Sequence, residues 1–100
     1  MPQRTKEWNE GLAKDLRNRR FAQEFIIAGV EEGVPLPRIL AKVIRAYGVQ
    51  EFARRVHMAP SNVSRAISPR SNPTQATLAR LLRPFGLRLS VVPIKDRLAA

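Results

Sequence analysis

A mostly α-helical fold is what this sequence predicts, and three observations lead there. Apolar residues recur at helical spacing along most of the chain, a single final stretch alternates with period two instead, and Gly or Pro punctuates the junctions. At 100 residues the chain makes one domain at most, since domains typically run to about 100–150 residues. An apolar share of 44% and a charged share of 26% belong to a chain that folds. The expected architecture is a five-helix bundle with one C-terminal β-strand.

Taken in order, the first helix is expected over Lys6 to Arg17, where Trp8, Leu12 and Leu16 stand at i, i+4 and i+8. Asn18 suits the N-cap of a second, Arg19 to Glu32, because its short side-chain oxygen can accept from the open N–H groups of the first turn. Phe21, Phe25, Ala28 and Val30 are expected to form its buried side. Gly33 ends it, and Pro35 and Pro37 keep the next residues from continuing it. The third helix, Pro37 to Tyr47, sets Leu36, Ile39, Leu40, Val43, Ile44 and Tyr47 on one stripe and Arg38, Lys42 and Arg45 on the other. No polar residue caps its start, and Gly48 stops it. Two short helices follow between Val49 and Ser68. Gln75 to Phe85 then carries Leu78, Leu81, Leu82 and Phe85, capped by Thr74 and ended by Gly86, with Pro84 distorting the last turn. Leu87 to Pro93 alternates Leu87, Leu89 and Val91 against Arg88, Ser90 and Val92, the period of a strand.

Charge narrows the function. Eighteen Lys and Arg against eight Asp and Glu give +10, a balance that asks for a polyanionic partner. Residues 1–32 carry six of each sign and are neutral, whereas residues 33–100 carry twelve cations and two acids, so the whole excess lies after Glu32. Zero Cys removes disulfides, thiolate catalysis and zinc fingers. With one His, no carboxylate pair spaced to share a site and neither a GxGxxG nor a Walker pattern, the expectation is no enzyme, no cofactor and no metal. No apolar run approaches the ~20 residues of a membrane helix and no signal-peptide core opens the chain, so the expected location is cytoplasmic.

The segment VQEFARRVHMAPSNVSRAIS, Val49 to Ser68, reads as two short helices joined by about three residues. Phe52 and Val56 point inward from the first, Met58 plugs the turn, and Val63 with Ala66 or Ile67 points inward from the second. Ala53 stands where the helices must cross closely. His57 occupies the corner, where positive φ is expected and His is among the residues that tolerate it. Pro60 suits the first position of the second helix. This is the pattern of a helix-turn-helix. Its second helix offers Ser61, Asn62, Ser64 and Arg65 as base readers, Arg65 first, because a guanidinium can donate two hydrogen bonds to guanine O6 and N7 in a groove about 12 Å wide. Arg54, Arg55 and Arg70 are placed on phosphates, as is Gln50 beside the positive end of the first helix. Between Arg38 and Arg88 stand ten cations and one acid, Glu51.

Three segments carry a resemblance to a known family: GLAKDLRNRRFAQEFI at Gly11 to Ile26, KVIRAYGVQEFARRV at Lys42 to Val56, and NPTQATLARLLRPFGLRLSV at Asn72 to Val91. From Lys6 to about Lys95 the chain resembles the XRE-type (Cro/cI-like) addiction-module antidote proteins, the HigA-type antitoxins. The resemblance implies a lambda-repressor-like helix-turn-helix, a dimeric repressor of its own operon, and a partner toxin, often a ribonuclease of the RelE/ParE type. Ala59, where the wider superfamily commonly has a capping Ser or Thr, and His57, where it has Gly, depart from its pattern.

The expected organisation is an N-terminal helical arm over residues 1–35, a DNA-binding helix-turn-helix unit over 36–86 and a dimerisation strand over 87–94, all in one compact unit. A lone strand leaves both edges unpaired. The same strand of a second subunit, antiparallel across a twofold axis through Leu87, Leu89 and Val91, would cover it; the alternative is the edge of a toxin's sheet. A homodimer sets its two reading helices about 34 Å apart and expects a pseudo-palindromic operator on double-stranded DNA. Glu24, Glu31 and Glu32 are candidates for meeting a basic toxin, with a solvated helix face as the plain alternative. Two rival functions stay open: a stand-alone phage-like repressor without a toxin, and a non-specific nucleic-acid binder. The second would want exposed aromatics for base stacking, and the few present fall mostly on apolar stripes.

Overall fold

A computed structural model describes residues 14–15 and 18–95. The fold is mostly helical, with α1 at Arg19–Glu31, α2 at Leu36–Tyr47, α3 at Val49–Val56, α4 at Pro60–Ala66, α5 at Gln75–Leu82 and a 3₁₀ turn at Arg83–Phe85. Lys14 and Asp15 are also helical; the remainder of the helix expected over Lys6 to Arg17, with Trp8, Leu12 and Leu16, lies outside the described residues. No described helix is long and apolar enough to cross a membrane.

Local chemistry sets the ends of these helices. The Asn18 side-chain oxygen accepts from the N–H groups of Arg20 (3.0 Å) and Phe21 (3.2 Å), and Thr74 accepts from Thr77 N–H at 3.1 Å; caps of this kind stabilise a helix by about 1 kcal/mol each. The α2 helix starts behind Pro35 with no side-chain cap. Gly48 serves both as its stop and as the lead into α3, at φ 114°, a conformation that an L side chain rarely adopts. Pro84 converts the end of the expected Gln75–Phe85 helix into the 3₁₀ turn, since it has no N–H to continue the α ladder.

The buried side of α1 differs from the expected one. Ala22, Ile26 and Gly29 are buried and Phe25 is half-buried, whereas Phe21 (37%), Ala28 and Val30 (44%) are exposed. The cause is close packing on α2: a Cβ on Gly29 would stand 2.9 Å from Ile39 Cδ1, so the small residues decide which face can approach. Phe21 and Phe25 instead stack on each other, ring centres 6.2 Å apart.

The core gathers on α2, where Ile39, Leu40, Ala41, Val43 and Ile44 are all buried, and is completed by Phe52, Ala53 and Val56 of α3, Val63 and Ile67 around α4, and Leu81, Leu82 and Phe85. At its centre Phe52 stacks on Phe85 (5.6 Å, 20° between planes) and meets the edge of Tyr47 (5.9 Å, 83°). No polar or charged side chain is buried among the described residues.

After Gly86 the described chain forms no regular element. The strand expected over Leu87 to Pro93 finds no partner among the described residues, and a strand needs one to close its ladder. Leu87 and Leu89 pack partly against the core, while Val91 (97%), Val92 and Ile94 stand in solvent.

Candidate nucleic-acid interface

The pair α3 and α4 meets at a corner built by backbone chemistry. His57, the one non-Gly residue with positive φ among those described, adopts the left-handed conformation at φ 56°, ψ 46°. This lets Met58 N–H reach Ala53 O (3.0 Å) and His57 N–H reach Arg54 O (3.4 Å), the paired bonds of a Schellman closure. Left-handed geometry costs an L residue roughly 1–2 kcal/mol, and the two carbonyls closed here offset it. Met58 is half-buried against the core, and Ala53 is buried. Past the corner, Ala59 is extended and Pro60 opens α4, where its missing N–H has no helical partner to lose.

On α4, Val63 is buried, Ala66 half-buried and Ile67, its C-cap, buried. Ser61, Asn62, Ser64 and Arg65 are all exposed, so one seven-residue helix brings the four expected base readers onto its outward surface. Gln50, Arg54, Arg55 and Arg70 are exposed as well. Gln50 and Arg54, four residues apart, share one flank of α3. Arg55 lies on the other flank, where its Nη1 donates to Tyr47 Oη at 2.9 Å. Arg70 rides on the turn after α4, in which Ser71 N–H donates to Ser68 O (2.9 Å) and Arg70 N–H to Ser68 Oγ (3.4 Å). Leu87 and Leu89 rest on the body and Val91 does not, so the three residues placed on a dimer seam are not presented together.

Two arginines that sequence reasoning left without a role hold this region. Arg80 of α5 donates from Nε to Val56 O (3.2 Å) and from Nη2 to His57 O (2.8 Å). Arg45 of α2 donates from Nη2 to Ile67 O (3.2 Å). Both contacts span more than twenty residues of sequence, and no local pattern announces them. Among the described residues no three His, Cys, Asp or Glu side chains gather to hold a metal ion.

Comparison of the chain with protein-family models, with curated proteins and with solved structures finds no match in any of the three.

Proposed function

We propose that the chain is a sequence-specific DNA-binding transcriptional regulator in which α3 and α4 form a helix-turn-helix and α4 reads base edges in the major groove. The observation that carries this is the outward face of α4, where Ser61, Asn62, Ser64 and Arg65 are all exposed while Val63 and Ile67 are buried. Its setting supports the reading, with ten cations and one acid between Arg38 and Arg88. Arg45 and Arg80 serve backbone carbonyls; a core explains none of the remaining imbalance, whereas a duplex with about one negative charge per 1.7 Å of axis does. Selection of duplexes from a randomised pool tests it: enrichment of a pseudo-palindrome with half-sites about one helical turn apart is expected, and no enrichment ends the reading.

In this reading Gln50, Arg54, Arg55 and Arg70 take phosphates. Arg54→Ala weakens operator and random duplex alike and flattens the slope of log affinity against log salt by about one unit. Arg55→Ala does so by no more than that, because one of its nitrogens is already given to Tyr47. A salt titration of both variants on both duplexes checks this, and an Arg54→Ala loss confined to the operator contradicts it.

The protein acts as a homodimer through its C-terminal segment. Val91, Val92 and Ile94 are exposed apolar side chains beside a backbone with no ladder partner among the described residues, and a second copy of the segment covers both. Val91→Glu places like charges near each other across such a twofold pairing. Sedimentation is expected to show a monomer at concentrations where the parent chain is dimeric; a dimer unmoved by the substitution rules out the seam. By the family resemblance, the regulated operon is the protein's own and encodes a RelE/ParE-type toxin, with the exposed Glu24, Glu31 and Glu32 of the α1 region facing it. Co-purification with the neighbouring gene product tests that role separately.

A further inference from the structure

An isolated helix needs about 12–15 residues to hold itself in water, and α4 has seven. Its direction is therefore imposed from outside. The corner before it and the end after it are each held by a guanidinium from another helix. Arg80 uses two neighbouring nitrogens of one planar group to take two successive carbonyls, Val56 O and His57 O. Helix ends leave such carbonyls open, and a cation beside them is favoured by the helix dipole. At the far end Arg45 takes Ile67 O, the carbonyl of the C-cap of α4. The corner is thus tied to α5 and the exit to α2, two helices that themselves pack together.

We infer that Arg80, seconded by Arg45, is a positioning residue of the reading helix: it sets where Arg65 arrives on a base pair and touches no DNA itself. This rests on the DNA-binding reading. Arg80 is exposed, and a plain count of cations would make it one more phosphate contact. Its two bonds set it apart, since a fork gripping adjacent carbonyls is work for a guanidinium and not for a point charge.

The comparison of Arg80→Lys with Arg80→Ala separates these roles, because lysine keeps the charge and loses the fork. Two measurements are made on the intact protein: amide hydrogen exchange at Met58, Val63 and Ile67 against Val43 and Ile44, and affinity for operator and random duplex across salt. Both variants are expected to speed exchange at the corner and α4 by about tenfold, the scale of one charge-assisted hydrogen bond, and to leave α2 unchanged. Both should also cut the operator-to-random ratio by about tenfold with the salt slope unmoved. A ratio kept by lysine, an equal fall on both duplexes with a flatter slope, exchange that rises everywhere, or faster exchange in α4 with the ratio intact each overturns the inference. If the parent chain prefers no sequence, the DNA-binding reading falls by itself, and the clamp is then decided by exchange: local acceleration upholds the two-ended grip, and unchanged exchange removes it.

Discussion

If α4 reads base edges as proposed, Arg65→Ala is expected to give a folded protein that binds operator and random DNA with nearly the same affinity. Arg65 is exposed, stands in the last turn of α4 and contributes nothing to the core, so its removal falls in the class of surface substitutions that shift stability by about ±0.5 kcal/mol. What it would lose, on the proposed reading, is the pair of hydrogen bonds to guanine O6 and N7, worth about 1–3 kcal/mol of discrimination at each half-site. Well-separated half-sites add roughly independently, so a dimer loses this twice. The phosphate contacts remain, because Arg54, Arg55 and Arg70 lie outside α4; affinity for random duplex falls by no more than one charge explains. Arg65→Lys keeps the charge without the fork and should resemble alanine in preference and the parent chain in salt dependence. Competition binding against operator and scrambled duplex measures both, and an equal fall on the two removes Arg65 from the base-reading set.

Where a structural signal is local, the chain displays it. Asn18 and Thr74 cap the helices they were expected to cap, and Gly48 closes α2. The corner His57 takes the left-handed conformation that its position requires, and Val63 and Ile67 turn inward while Ser61 and Arg65 turn out. Each of these depends on residues within one or two turns. Three features depend on distant partners and were not legible. The packed face of α1 is chosen by how closely Gly29 lets α2 approach, so the large apolar Phe21 and Val30 lose to Ala22, Ile26 and Gly29. The two carbonyl contacts of Arg80 join residues 23 and 24 apart, and in sequence it is one cation among many. The alternation from Leu87 onward fits a strand, yet alternation supplies no ladder partner, and within one chain Leu87 and Leu89 find cover on the body instead. The exposed face of α4 was therefore open to inference from its own residues, while the contacts that hold the helix were not.

Phe52→Ala is expected to have the opposite signature to Arg65→Ala, weakening binding to every duplex alike by weakening the fold. Phe52 is fully buried and leads the large side chains enclosed by the core. It holds three elements at once: its own helix α3, the 3₁₀ turn through the stack on Phe85, and the end of α2 through the edge of Tyr47. Truncation of a buried Phe to Ala costs about 3–5 kcal/mol in lost transfer energy and cavity, and some of that is the geometry of two aromatic pairs. A domain of this size has about 5–15 kcal/mol in all, so the variant loses between about a fifth of its stability and all of it. Because the same ring lies beneath the helix that precedes the reading helix, partial collapse of the cavity shifts α3 and carries α4 with it. Urea unfolding followed by circular dichroism should place Phe52→Ala at least 3 kcal/mol below the parent chain. Phe52→Leu, which leaves most of the volume filled, should remain folded and keep its operator preference. A Phe52→Ala protein within about 1 kcal/mol of the parent would mean that the three elements are held together elsewhere, and would move the centre of the core away from the α3–Phe85 contact.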